Sequence, residues 1–424
     1  MKAFLFPLFA IALLTDLRAA SAENGVRRFS FDPETSDKSA IAVTSTDIYT
    51  DQRGYGFDLG TMPTKNENPF FFSVAVPEGT YRVTIRFGAR NESSSNTVKA
   101  ECRQLMLEQI ETTPGQFVSR DFIVNVRDAS LPPPPKNAPG GSSVVLNERE
   151  TGILRWDHKL TLEFNGTHPH IATISFVPAP EIPTIFLAGD STVTDQPQEP
   201  AASWGQMLPR FLSGVAIANH AESGETMKSF LTELRLAKIL SQIKTGDYLF
   251  IQFAHNDEKR QWPQTYVEAH TTYRAYLRVF IAEAKSHGAT PVLVTSMQRR
   301  TFDTAGKIKN THGDYPEVMR EVAREENVPL IDLEKMSVAF YEALGPEKAR
   351  LAFNGGGKDA THQDDYGAYE LAKCVVNGIR DAHLPLTKNI VAHFPAFDPA
   401  HPDAPESFIF AKTPGHTDII LRGN

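Results

Sequence analysis

The sequence predicts an α/β protein built from two parts: a β-sandwich, then a three-layer, doubly wound sheet of five parallel strands. Three observations carry this. Residues 26–177 hold short alternating runs broken by turn residues, residues 184–382 alternate short apolar strands with segments of helical spacing, and Pro178-Ala-Pro-Glu-Ile-Pro183 lies between them as an extended linker. A chain of 424 residues agrees with this division, since domains of ~100–200 residues imply more than one hydrophobic core.

Met1-Lys2, the apolar run Ala3 to Leu14 and Ala20-Ser21-Ala22 follow the charged, apolar, small-residue order of a secretory signal. Residues 1–22 therefore read as a signal peptide, and the protein is expected to be secreted or periplasmic. No other stretch approaches the ~18 apolar residues of a membrane span, so none is expected in the mature chain. The only two cysteines, Cys102 and Cys374, fall in different predicted domains and read as buried free thiols.

Within the predicted β-sandwich, residues 23–178, Gly54–Gly60 and Phe70–Val76 read as strands. Pro77-Glu-Gly-Thr80 turns into Tyr81–Phe87, with Val83, Ile85 and Phe87 on one face and Arg82, Thr84 and Arg86 on the other. Further strands follow at Phe122–Val126 and Leu160–Phe164, separated by the loop of Leu131-Pro-Pro-Pro-Pro135 and Gly140-Gly-Ser-Ser143. Tyr55, Phe70 and Phe71 offer rings to a sugar, but in a strand they read as core.

After the linker, residues 179–183, the strands of the second domain are Thr184–Gly189, Val215–Asn219, Tyr248–Phe253, Pro291–Thr295 and Pro329–Asp332. Met227, Phe230, Leu231, Leu234, Ile239, Leu240 and Ile243 give the helical spacing of the segments between them, and Asp365–Asp381 reads as the closing helix. The domain ends near residue 382, and the proline-rich residues 383–424 read either as an extended tail over the surface or as a disordered one.

Lys and Arg number 43 against 51 Asp and Glu, a net charge of −8 that removes nucleic acid as a partner. No C-x-x-C pair and no H-E-x-x-H occurs, so neither metal nor cofactor is expected. The chemistry is sought where ligands bind an open parallel sheet, at the carboxyl ends of its strands. Strand one ends in Gly189-Asp190-Ser191-Thr192, which presents a serine able to act as nucleophile. The exit of strand two supplies Ser223-Gly224 and that of strand three Ala254-His255-Asn256-Asp257, a backbone N–H and a side-chain amide suited to an oxyanion. Asp359-Ala-Thr-His362 precedes the closing helix, where a carboxylate three residues ahead of an imidazole can fix its tautomer. Each block alone has a plain structural explanation as a cap, turn or surface pair. Their order at successive strand exits favours catalysis. No G-x-S-x-G elbow is present.

With these blocks the sequence resembles the SGNH (GDSL-type) hydrolases, and within them the rhamnogalacturonan acetylesterase-like branch. Asn219-His-Ala-Glu-Ser-Gly-Glu225, Gly246-Asp-Tyr-Leu-Phe-Ile-Gln-Phe253 and Thr361-His-Gln-Asp-Asp-Tyr-Gly-Ala-Tyr-Glu-Leu-Ala372 carry the resemblance. It spans about residues 184–382. More loosely, the N-terminal part resembles galactose-binding-like modules through Gly-Tyr-Gly-Phe-Asp and Pro-Glu-Gly-Thr-Tyr. The resemblance implies an SGNH, flavodoxin-like sheet with Ser191 as nucleophile, His362 as base and acid, and Asp359 as its orienter. The Ser191 N–H, the Gly224 N–H and the Asn256 side chain would form the oxyanion hole. The family's third block usually reads Gly-x-Asn-Asp, and Ala254 replaces its glycine here, a change expected to be tolerated.

The implied activity is that of an exported serine carbohydrate esterase that removes acetyl groups from plant cell-wall polysaccharide, with pectic rhamnogalacturonan as the substrate indicated. Two alternatives stay open: an SGNH esterase for another acyl ester (xylan, peptidoglycan or lipid), and a glycan-binding protein with an inactive hydrolase domain. Arg299 and Arg300, after strand four, have guanidiniums suited to a uronate carboxylate, against the alternative of bonds to neighbouring acids and carbonyls. Trp204 is suited either to stacking on a sugar or to packing under the nucleophile loop, and His255 either to lining the pocket or to a structural hydrogen bond. His220 and His255 also sit near strand exits, but neither has an aspartate three residues ahead, which leaves His362 as the base.

Overall fold

The computed structural model describes residues 25–33, 37–63, 69–394 and 396–413. Residues 1–22, read from sequence as a signal peptide, and the end of the tail lie outside the described residues. In the N-terminal part the strands assemble into two sheets whose apolar faces meet, with the alternation of β5 burying every second side chain. One sheet orders β1 (Arg27–Ser30), β2 (Ile41–Ala42), β5 (Gly79–Phe87), β8 (Val118–Val126) and β10 (Ile171–Pro178) as β2-β1-β10-β5-β8. The other orders β3 (Tyr55–Asp58), β4 (Phe70–Ala75), β6 (Ser94–Ala100), β7 (Gln104–Thr112) and β9 (Lys159–Asn165) as β3-β4-β9-β6-β7. All these pairings are antiparallel except β1 with β2. Val83, Ile85 and Phe87 of β5 face Phe72, Val98 and Leu162 in one core. Phe70 stacks on Phe164 and Phe71 is 2 % exposed, so the aromatic residues of β4 are core and not a sugar platform.

The second sheet grammar gives five parallel strands, β11 (Thr184–Gly189), β12 (Ala216–Asn219), β13 (Tyr248–Gln252), β14 (Thr290–Val294) and β15 (Leu330–Ile331), in the order β12-β11-β13-β14-β15. The chain starts in the middle, moves to one edge and returns to the other, as a doubly wound sheet does. Apolar clusters fill both faces. Helices α4 (Arg274–Ser286) and α5 (Tyr315–Glu326) pack on one, and α1 (Trp204–Met207), α6 (Leu333–Lys348) and α7 (Asp365–Asp381) on the other. The segment from Met227 to Ile243 differs from a single helix. It forms α2 (Met227–Thr232) and α3 (Arg235–Leu240), broken at Leu234, whose φ of 64° interrupts the helical ladder.

The two halves share packing. Leu105 of β7 lies in the same apolar cluster as Ile185, Trp204 and Leu371. Arg103 bridges to Asp365 at 2.9 Å, and Gln104 donates to Asp195 at 2.8 Å. In the tail, Phe408 and Phe410 lie against the core of the parallel-sheet half, and Lys99 donates to the Thr413 hydroxyl at 2.7 Å. Cys102 and Cys374 are free and buried, and burial pushes the Cys102 thiol up to about 12. Among the described residues no helix is long and apolar enough to cross a membrane.

Candidate active site

Strand order brings the predicted blocks to one edge. β11 is flanked by β12 and β13, so the loops that leave these three strands adjoin, with the β11 exit in the middle. At that exit Gly189 accepts no larger residue, because a Cβ there would lie 2.6 Å from Val193 Cγ2. The Asp190 carbonyl accepts from Val193 and Thr194, and its carboxylate from Thr192 N at 3.0 Å and Thr192 Oγ1 at 2.8 Å. This tight turn carries Ser191.

His362 Nε2 lies 2.9 Å from Ser191 Oγ, and its Nδ1 lies 2.7 Å from Asp359 Oδ2. The other oxygen of Asp359 accepts the backbone N–H groups of Thr361 at 2.7 Å and His362 at 3.0 Å. Burial works to raise the Asp359 carboxyl, but His362 and these donors outweigh it and hold it down to about 2. A carboxylate so placed fixes the Nδ1–H tautomer and leaves Nε2 to take a proton from the serine. Arg300 steadies the same loop: Nη2 donates to the Gly357 carbonyl at 2.7 Å, and its guanidinium lies 5.4 Å from the Phe353 ring centroid.

On one flank, Gly224 has φ 85°, a left-handed conformation that a side chain would strain. On the other, Asn256 donates through Nδ2 to the Glu225 carbonyl at 3.0 Å and accepts from Lys259 Nζ at Oδ1, 2.9 Å away. These opposed partners define the orientation of the amide and leave one of its two N–H groups over. The Asn256–Glu225 bond ties the β13 loop to the β12 loop directly after Gly224. Ala254 is not among the described residues with positive φ, and its methyl group lies in the apolar cluster under α4, so the backbone accepts it without strain.

Several predicted substrate contacts need correction. Trp204 is fully buried and donates through Nε1 to Gln252 at 2.9 Å, so no face of the indole is open to a sugar. Arg299 pairs with Glu258 at 2.6 Å and donates to the His255 carbonyl at 3.2 Å, while Arg300 supports the Asp359 loop. Both guanidiniums are engaged within the protein. His255 is 2 % exposed and packs edge-on to His312, with Nδ1 3.4 Å from Asp190. It therefore lies beneath the site and does not line it. His220 is equally buried, between Trp156 and Phe186. A polar concavity of about 470 Å³ adjoins the Asn256 loop, with Lys259, Arg260, Tyr266, His270 and His312 in its wall.

Sequence reasoning missed three residues around the β12 exit and the nucleophile turn. Arg149, Arg155 and Glu222 meet behind the β12 exit: Arg149 Nε donates to Glu222 at 2.6 Å, and Arg155 pairs with the other oxygen of Glu222 at 2.6 Å. Arg155 also donates to Thr194 Oγ1 on the nucleophile turn. Glu222 stands inside the Asn219–Glu225 motif, where its burial is not distinguished by sequence from that of the polar residues around it. Nothing in the irregular segment around Arg149 distinguishes that arginine before folding.

A parallel sheet with serine, imidazole and carboxylate at its carboxyl edge defines a hydrolase of the acyl-ester class. The family model for the GDSL-like Lipase/Acylhydrolase family matches residues 187–405, and the chain belongs to that family. It is 42% identical over 222 residues to the rhamnogalacturonan acetylesterase RhgT of Bacillus subtilis, an alignment covering 49% of this chain and 94% of that protein. The probable rhamnogalacturonan acetylesterase YesY of the same organism is 41% identical over 211 residues, covering 49% of this chain and 97% of that protein. The esterase YxiM of Bacillus subtilis, described as uncharacterized, is 25% identical over 411 residues and covers 90% of this chain and 98% of its own length. The protein is accordingly a carboxylic ester hydrolase, and these relatives support an acetyl esterase of the SGNH type.

Proposed function

We propose that this protein deacetylates a pectic polysaccharide, rhamnogalacturonan in the first place, outside the cytoplasm, by a Ser191-His362-Asp359 mechanism. The observation that carries the mechanism is the unbroken relay Ser191 Oγ–His362 Nε2–His362 Nδ1–Asp359 at 2.9 and 2.7 Å. Ser191 Oγ attacks the acetyl carbonyl carbon as His362 Nε2 takes its proton, and the carbonyl oxygen becomes an oxyanion. The Ser191 and Gly224 N–H groups and the spare Asn256 N–H receive that charge. When the intermediate collapses, the sugar oxygen leaves with the proton held on His362, and acetyl-Ser191 remains. Water then adds with His362 again as base, and acetate departs as the proton returns to Ser191 Oγ. Asp359 stays ionised throughout and stabilises the imidazolium.

The substrate reading is supported by the two rhamnogalacturonan acetylesterase relatives. Export rests on the signal-like order of residues 1–22. The deciding experiment compares acetate release from acetylated rhamnogalacturonan, acetylxylan and an aryl acetate by wild type and Ser191→Ala. Pectic release that vanishes with Ser191 is expected. Equal or faster release from acetylxylan would overturn the pectic assignment while keeping the serine mechanism.

A further inference from the structure

The segment 147–156 belongs to the N-terminal β-domain, between β8 and β9, yet it reaches into the hydrolase site. Three buried contacts fix it there. Arg235 of α3 pairs with Glu150, with both side chains at 0 % exposure. Arg155 pairs with Glu222, and Trp156 lies edge-on to His220 at 5.5 Å. So held, Arg149 spreads its guanidinium across the β12 exit: Nε donates to the Glu222 carboxylate at 2.6 Å and Nη2 donates to the Ser223 carbonyl oxygen. Only its outer side reaches solvent, with the side chain 31 % exposed.

The Ser223 carbonyl and the Gly224 N–H belong to one planar trans peptide, in which C=O and N–H point in opposite directions. A cation that grips the oxygen from behind therefore aims the N–H away from itself and adds to its positive end. At a glycine with φ 85°, where the backbone has several other conformations open to it, this clamp also selects one of them. We infer that Arg149 is a positioning residue of the oxyanion hole, by which the N-terminal β-domain orients and polarises the Ser223–Gly224 peptide for the reaction at Ser191. The inference rests on the serine-esterase reading of the site.

The test uses the full chain with Arg149→Lys, Arg149→Met and Arg149→Ala. The lysine keeps a charge for Glu222 but loses the fork. The methionine keeps volume, and Glu222 retains Arg155, so the fold is expected to persist. If the neutral variants fail to fold, Arg149→Lys carries the test. Because a whole oxyanion donor is worth ~10²–10³ in turnover, loss of its support should lower kcat on an aryl acetate by about tenfold with KM within twofold. Binding of a boronic acid, whose tetrahedral adduct on Ser191 places an oxygen in the hole, should weaken by a similar factor. Millimolar guanidinium should restore part of the kcat of Arg149→Ala, a recovery that a purely structural arginine would not show. A raised KM at unchanged kcat would assign Arg149 to substrate binding, and unchanged kcat and boronate affinity would dismiss the clamp. Both results overturn the inference while leaving serine catalysis intact. Failure of a fluorophosphonate probe to label Ser191 in the wild type would overturn the underlying reading as well.

Discussion

Asn256 stands between a lysine and a carbonyl: Lys259 Nζ donates to its Oδ1 at 2.9 Å, and its Nδ2 donates to Glu225 O at 3.0 Å. The side chain is thus held at both ends before any substrate arrives, and its remaining N–H is preorganised. Asn256→Ala should keep the fold and lower kcat by ~10²–10³. Steady-state kinetics on an aryl acetate, with circular dichroism as the folding control, decide this, and a loss below tenfold would remove Asn256 from the oxyanion hole.

Ser191→Ala and His362→Ala should each lower kcat by roughly 10⁴-fold or more, and the double variant should be no worse than either single one, since the members of a triad act as one unit. Multiplicative losses would mean that the two side chains act in separate steps. Single-turnover measurements with a chromogenic acetate give the numbers.

Arg300 bonds to the carbonyl of Gly357, two residues ahead of Asp359, and its own N–H donates to the Ala360 carbonyl at 2.8 Å. Arg300→Ala should therefore loosen the Asp359 loop and reduce kcat by roughly 10–100-fold, equally on pectic and aryl esters. An effect confined to KM on the uronate polymer would show instead that the guanidinium leaves the loop to meet substrate.

The Arg235–Glu150 pair is wholly buried, and Arg235 Nη1 lies 3.0 Å from Glu150 Oε1. Removing one partner strands a charge in the interior, so Arg235→Met should cost about 3–5 kcal/mol in urea unfolding. Arg235 also pairs with Glu225 and Glu233, and Glu150 also accepts from Trp156 Nε1, so replacing both residues by methionine should recover only part of that loss. A double variant no more stable than the single would show that the Glu150 carboxylate is not the main source of the cost.

His220 and His255 each weaken the fold in acid. Burial pushes the His255 imidazole down to about 4 against the opposing pull of Asp190, and burial pushes His220 well below its ordinary range, with Arg127, Lys238 and Arg235 acting in the same direction. Unfolding returns both to ~6.5. At each ring the unfolded chain then binds more protons than the native one, so its contribution to stability falls as pH drops below about 6.5, by up to ~1.4 kcal/mol per pH unit, while buried carboxyls such as Asp365, which burial raises to about 7, act in the opposite direction. The rings are therefore tested against wild type, by thermal midpoints at pH 7.5 and 4.5. His220→Phe, which suits the aromatic surroundings of that ring, should gain stability relative to wild type at pH 4.5, and an equal offset at both pH values would contradict the assignment.

Much of the hydrolase half was legible before folding because its signals are local. The strand Thr184–Gly189 and the helix Asp365–Asp381 have the limits that their apolar patterns suggest, and three of the four blocks occupy strand exits, with the fourth just ahead of the closing helix. What escaped was set by contacts between distant segments. Leu234 breaks a well-patterned helix, and Arg235 beside it turns inward to Glu150, 85 residues away. Arg299 and Arg300 looked available to substrate because their partners, Glu258 and Gly357, reach them only through the fold. Trp204 was ambiguous between ligand and core, and burial under the nucleophile turn decided it.

The ion pairs Arg149–Glu222, Arg155–Glu222 and Arg103–Asp365 each join one half of the chain to the other. A charge lost on either side leaves its counterpart stranded, so neither half is free to drift in sequence by itself. A catalytic half exchanged for a relative's would have to bring its own answers to Arg149, Arg155 and Arg103, and chimeras joined at the linker should fail unless those positions travel together.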